Sequence, residues 1–252
     1  MSIWVKQITD DINMAISPTI FSTTQEIQDG ARRGQLDAVA VNMLEFRPIA
    51  DLLDTGQIIT AAGEGGLEQY LILAKQSTGI RRLADLKGRR LCTLKSPKTC
   101  LAPLWLFTIL EEARLGSAEQ FFGPVVEDTK FSRVVLPIFF GQADACLTTK
   151  RGFATMSELN PQVARDLKVV ASSPAMTVSF YIFRKNYRNV NRERLIKALS
   201  SLSATPAGRQ LATLFQVDDL AVRDGSCLAS ALALLDAADR ARARRGAAGG
   251  MG

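Results

Sequence analysis

One short phrase, written twice, limits the folds open to this 252-residue chain more than its composition does. Gly34-Gln35-Leu36-Asp37-Ala38-Val39-Ala40-Val41 returns as Gly141-Gln142-Ala143-Asp144-Ala145-Cys146-Leu147-Thr148. Each copy follows a segment with helical patterning, residues 24–33 and 131–140. Glycine takes the left-handed conformation that ends a helix, and the apolar run after Asp reads as a buried strand. Two units of helix, Gly-x-x-Asp and strand predict two similar α/β lobes with a ligand between them. Duplicated lobes imply capture of a small molecule more readily than catalysis.

The chain contains no histidine. That removes Ser-His and Cys-His nucleophile pairs, histidine general bases and histidine-held metals together. Cys92, Cys100, Cys146 and Cys227 form no CxxC or other metal spacing, and read as free thiols rather than disulfides. No metal, cofactor or catalytic residue is predicted. Cys100 alone carries a nucleophile reading, as a thiol in the first turn of a helix beside Lys98. The formal charge of +6 suggests nucleic acid at first sight. Leaving out Arg240, Arg242, Arg244 and Arg245, crowded before a Gly/Ala-rich end, brings it to +2. The excess therefore belongs to a frayed, disordered basic tail, and no nucleic-acid partner is expected. No stretch approaches the ~18 continuous apolar residues of a membrane span, and the start does not resemble a signal peptide.

Strand patterns fall at residues 16–21, 38–41, 57–62, 69–75, 91–94, 125–126, 145–148, 167–171 and 178–184. Residues 3–13 read as the end of an amphipathic helix, 42–48 as a loop, 101–115 as a long helix capped by Gly116, and 152–160 as helix or loop. From Arg192 onward the pattern is helical, over 192–203, 207–215 and 228–245. Strands alternating with helices predict parallel sheets with crossover helices.

With these segments placed, the sequence resembles a known family. Leu83-Ala84-Asp85-Leu86-Lys87-Gly88-Arg89-Arg90 is similar to the DLKG entry into the second lobe of type II periplasmic solute-binding proteins. Lys95 to Pro103 sits where the phosphonate/phosphate-binding (PhnD-like) branch carries a Ser/Thr-rich anion loop. Gly141 to Ala145 resembles the GxxDA of that branch, and Thr205-Pro206-Ala207-Gly208-Arg209 its TPxGR segment. The resemblance runs from about Ser22 to Ala237. It implies an α/β two-lobed fold with residues 1–75 and 178–252 in one lobe and 76–177 in the other. Strands 69–75 and 178–184 would be the crossovers near a hinge. The pattern lacks the strand and loop that open the first lobe in the family.

The resemblance implies a periplasmic, monomeric substrate-binding component of an ABC-type importer. Its partners would be a small anion, such as phosphonate or phosphate, and the permease subunits. A biosynthetic enzyme on the same fold and a ligand-sensing domain stay open as alternatives.

The candidate ligand residues follow from helix starts and strand ends. Lys95, Ser96, Lys98, Thr99 and Cys100 lie between a strand and a helix N-terminus, where free N–H groups and the helix dipole attract anions; a plain helix cap is the competing reading. Lys130 begins a second helix. Asp144 suits the amino group of a zwitterion, or else stabilises its own turn. Thr148 ends the second repeated strand. Glu64 and Gly65 follow the 57–62 strand, and Asn42 follows the first repeat; ligands of open α/β sheets gather beyond such ends.

Overall fold

The computed structural model describes residues 16–214, 217 and 219–249. Among them the strands are β1 (Ala38–Asn42), β2 (Leu53–Ala61), β3 (Tyr70–Lys75), β4 (Leu91–Leu94), β5 (Val125–Asp128), β6 (Ala145–Thr149), β7 (Leu167–Ser172), β8 (Ser179–Arg184) and β9 (Leu220–Arg223). The helices are α1 (Thr24–Arg32), α2 (Met43–Phe46), α3 (Ala102–Glu112), α4 (Ala118–Phe121), α5 (Phe131–Phe139), α6 (Lys150–Leu159), α7 (Pro161–Asp166), α8 (Val190–Ser200), α9 (Pro206–Leu214) and α10 (Ala229–Gly249). The chain divides into two units. One holds residues up to Leu67 together with Thr177–Ala229; the other holds Glu68–Met176 together with the chain from Ser230.

The repeated phrase has the same local structure in both. Gly34 ends α1 with φ +69° and Gly141 ends α5 with φ +73°. Gly34 N–H donates to Ala31 O and Gln35 N–H to Gly30 O; Gly141 and Gln142 donate in the same way to Ile138 O and Pro137 O. These paired bonds satisfy carbonyls left over at the helix end, and the left-handed residue that makes them possible disfavours any Cβ.

The first unit contains a four-stranded sheet in the order β1-β8-β2-β9. Its pairs are all antiparallel, which corrects the expected parallel sheet: β8 lies between β1 and β2 and runs against both. The sequence pattern had supplied helices between strands, but no rule about which strand would return between them. β9 was not expected at all, since four strand residues sit beside a turn-rich stretch. Residues 16–21 form no strand, and 42–48 is not a loop but α2 followed by a 3-10 turn over Arg47–Leu52. The helix read over 3–13 and the missing opening strand fall outside the described residues. Ile59, Phe183, Leu195 and Leu199 form a buried cluster of this unit, with α8 packed on the sheet.

The second unit holds a five-stranded mixed sheet, β5-β4-β6-β3-β7. β4 pairs in parallel with β5 and β6, while β3 pairs antiparallel with β6 and β7. β3 therefore belongs with the second unit, so the boundary expected at residue 75 falls at Leu67. Leu71, Leu73, Cys92 and Cys146 meet Val134, Val135 and Ile138 of α5 in the core.

The C-terminal helices divide as well. α8 and α9 stay with the first unit, while α10 joins the second from Ser230 on. Arg245 lies 3.4 Å from Glu111 and the Arg242 guanidinium 5.7 Å from the Phe107 ring, so the basic tail read as disordered is a helix set against α3. The TPxGR segment caps α9: Thr205 Oγ1 accepts from Gly208 N–H at 3.0 Å. A Cβ on Gly208 would stand 1.6 Å from Leu202 O, a distance no side chain tolerates.

Candidate functional site

Strand directions decide which predicted residues share an edge. In the second unit the carboxyl ends of β4, β5, β6 and β7 and the amino end of β3 lie together. The loop Lys95–Cys100, Lys130, and the start of α6 at Lys150 and Arg151 all emerge there, and Glu68 enters there. Asp144 does not. It precedes β6 and sits at the opposite edge, where its carboxylate accepts from Arg90 N–H at 2.9 Å and lies 3.5 Å from Arg89. The amino-group role expected of Asp144 at this site is thereby withdrawn. It is a turn-stabilising residue, as Asp37 is in the other copy, where Arg184 donates to it at 3.2 Å.

The β4–α3 loop is built around Thr99, which is buried. Its hydroxyl donates to Leu94 O at 2.8 Å and accepts from Ser96 N–H at 2.9 Å. Ser96 Oγ lies 3.3 Å from the same hydroxyl. Ser96 and Thr99 therefore spend their polar atoms on the loop itself, as a cap does. Tyr70, fully buried at the start of β3, ties the loop to the sheet: its phenol donates to Lys98 O at 3.1 Å. Burial, with Cys100 and Glu68 nearby, pushes that phenol well above its ordinary range and keeps it a donor. Cys100 is half-buried and, like the other three cysteines, carries no disulfide.

The three lysines fare differently. Lys95 is exposed and 3.3 Å from Glu127, a surface pair. Lys130 is exposed, and its N–H donates to Asp128 Oδ1 at 2.8 Å, so a carboxylate already occupies the start of α5. Lys98 keeps 30% of its side chain exposed, and its ammonium lies 3.7 Å from Glu68 Oε1.

Glu68 itself is 4% exposed. Two backbone bonds to Met176, each 2.8 Å, fix it in place. Burial raises its carboxyl pKa, against the pull of Lys98 and Arg151. A charged residue at the mouth of a strand that is otherwise apolar was the available signal for Glu68, and sequence reasoning passed it over. Thr148 is fully buried, with its hydroxyl unpartnered among the described residues. The adjacent Thr149 caps α6 by accepting from Gly152 N–H at 3.2 Å.

The first-unit candidates lie at one edge of their own sheet, because β1 and β2 run in the same direction. Asn42 caps α2, accepting from Leu44 N–H at 2.9 Å and Glu45 N–H at 3.1 Å. Glu64 and Gly65 belong to the 3-10 turn Gly63–Gly66, and their side-chain surroundings lie outside the described residues. A groove of about 1020 Å³ runs along Asp54–Gln57 and Arg188–Lys197 and includes no predicted ligand residue. Its buried cation is engaged: Arg192 donates to Asp54 at 2.8 Å and Gln57 at 2.9 Å, and its guanidinium lies 4.9 Å from the Phe183 ring.

The family model for the ABC transporter phosphonate periplasmic substrate-binding proteins matches residues 1–224. The chain belongs to that family. It is a periplasmic binding protein, not an enzyme, and the nucleophile reading of Cys100 lapses with that. No curated protein matches it. Among solved structures, a binding-protein component of an ABC phosphonate transporter from Pseudomonas aeruginosa is 16% identical, with a TM-score of 0.60 over 95% of this chain and 80% of that one. A Xanthomonas citri protein bound to ATP is also 16% identical, with a TM-score of 0.66 over 95% and 90%. A Prochlorococcus marinus protein in complex with methylphosphonate is 12% identical, with a TM-score of 0.58 over 89% and 86%. At such identities the likeness establishes the type II periplasmic-binding-protein fold.

Proposed function

We propose that this binding protein serves an ABC-type importer by capturing a small oxyanion, phosphonate or phosphate, at the carboxyl edge of the β4–β6 sheet, and hands it unchanged to permease subunits. The observation that carries this reading is the convergence of Lys98, Lys150 and Arg151 on one edge, beside the start of α3. Backbone N–H groups and the positive end of a helix dipole add to such a field. Thr148 Oγ1, buried and without a hydrogen-bond partner among the described residues, is a further donor near the same edge. Relatives of the same fold solved with methylphosphonate and with ATP both hold phosphorus oxyanions, which makes these the first ligands to try.

Isothermal titration with methylphosphonate, phosphate, phosphite and methanesulfonate tests the reading. Binding of a phosphorus oxyanion is expected, weakened at least about tenfold in Lys98→Gln, the scale of one lost charge-assisted contact. Lys95→Gln, at a solvated pair, is expected to bind within about twofold of the parent. No heat with any of the four anions refutes the proposal.

A further inference from the structure

Two hydroxyls take up three carbonyl oxygens of the β4–α3 loop. Thr99 Oγ1 lies 2.8 Å from Leu94 O and 3.0 Å from Ser96 O, and Tyr70 donates to Lys98 O at 3.1 Å. Thr99 belongs to the loop, whereas Tyr70 reaches it from β3, 28 residues back in the chain. Tyr70 is itself braced. Its N–H donates to Ser173 Oγ at 2.8 Å, and its carbonyl accepts from Ser173 N–H at 2.9 Å. Its ring stands beside that of Trp105 in α3, with centroids 6.3 Å apart, and both residues are buried. The hydroxyl therefore points at the loop from a fixed frame.

We infer that Tyr70 is a positioning residue for anion capture: its hydroxyl holds the Lys98 carbonyl inward and so keeps the loop in its binding form. This rests on the anion reading above. Tyr70 does not touch the ligand in this role; it acts through Lys98. Backbone N–H groups turned outward attract an anion, and a carbonyl oxygen turned to the same side opposes it. Without the hydroxyl the Lys98 carbonyl loses its buried donor, and turning that oxygen toward water restores a partner. The same turn carries the Lys98 side chain with it, including the ammonium that has Glu68 among its partners. A loop freed in this way spends less time in the binding form, and the apparent dissociation constant rises by the inverse of that fraction.

Tyr70→Phe keeps the ring and removes only the hydroxyl. Isothermal titration with methylphosphonate and with phosphate is expected to give dissociation constants raised about three- to tenfold, the range of one buried hydrogen bond. Tyr181→Phe removes a hydroxyl from β8, in the first unit and outside the loop. Its affinities are expected to stay within about 1.5-fold of the parent's. Amide hydrogen exchange of the ligand-free proteins supplies a readout that a general loss of stability would not give. In Tyr70→Phe it should quicken about three- to tenfold over residues 95–101 and keep the parent's rate in β4 and β6. Affinities within about twofold of the parent's, or faster exchange spread evenly over the second unit, overturn the inference while leaving an anion site intact.

A measurement on the parent alone does not depend on Tyr70→Phe folding. Ser96 N–H donates to Thr99 Oγ1 and Thr99 N–H to Ser96 O. Before any ligand is added, both amides should exchange at least about tenfold more slowly than in an unstructured chain. Unprotected amides there mean that no loop is held, and overturn the inference as well. If the parent gives no heat with either anion, the phosphorus-oxyanion reading fails and the positioning role falls with it.

Discussion

In the first unit Asp54 lies 2.8 Å from Arg192, and in the second Glu68 lies 3.7 Å from Lys98. Both carboxylates are largely removed from water beside a base, yet their acidities move in opposite directions. Burial works against ionised Asp54, but the Arg192 hydrogen bond, the Gly56 N–H and the charges of Arg192 and Arg188 outweigh it, and its pKa falls. Burial of Glu68 is deeper and its base more distant, so its pKa rises. The contrast separates a clamp from a poised group. The Asp54 pair bridges β2, at the register irregularity between Leu53 and Ile58, to the start of α8. The Glu68 pair sits at a sheet edge, where a ligand can compete for its lysine.

The largest expected effect comes from breaking the clamp. Arg192→Met leaves Asp54 without its closest partner and is expected to destabilise the protein by about 3–5 kcal/mol, read as a shift in urea midpoint at constant slope. A loss under 1 kcal/mol would mean that Arg188 and Gly56 suffice, and the distinction between the two pairs would dissolve. Next comes a contrast between the two copies of the repeated phrase. Leu147, in the centre of the second sheet, is buried, while its counterpart Ala40 on edge strand β1 is exposed. Leu147→Ala is expected to cost about 2–5 kcal/mol, and Ala40→Ser to fall within about 0.5 kcal/mol of the parent.

Acidity sharpens the same comparison. The folded pKa of Asp54 lies below its unfolded value, so its contribution is present above about pH 4 and lost as pH falls through the folded pKa. The folded pKa of Glu68 lies above its unfolded value, so its ionisation costs stability as pH rises from about 4.3 through the folded pKa. Stability profiles from pH 3 to 8 should therefore lose their acid limb in Asp54→Asn. In Glu68→Gln they should gain relative stability on the neutral side. The same change of slope in both variants would contradict the opposite assignments.

What the sequence disclosed was local. The helix ends at Gly34 and Gly141 were readable because a positive φ leaves a chemical trace, a glycine after a helical run. β3 and β8 were readable as strands because their apolar residues are continuous. Which sheet β3 joins was not, since its partners β6 and β7 lie far along the chain and pairing leaves no mark in either strand alone. Ser96 and Thr99 announced a cap, but whether the Thr99 hydroxyl faced a ligand or Leu94 O depended on the path of the loop. The edge on which Asp144 sits follows from its place before β6 once strand direction is known. Arg192 looked like any helical arginine, because its partner Asp54 is 138 residues away in the chain.

The smallest effect puts the repeated phrase itself to the test. If both copies end their helices by the same device, replacing either glycine should cost the same, whatever sheet follows. Gly141 has nothing within 4 Å of a built Cβ, and Gly34 has only Arg184 Nη1, at 3.7 Å. Neither substitution creates a clash, so the cost is that of holding an L-residue left-handed, about 1–2 kcal/mol for Gly34→Ala and for Gly141→Ala alike. Equal losses in urea midpoint, despite an edge strand after one glycine and a central strand after the other, would show that the helix stop is independent of the sheet it feeds. A loss at Gly141 exceeding that at Gly34 by more than about 1 kcal/mol would show the buried β6 transmitting strain back into its cap, because a packed strand yields less readily than an edge strand.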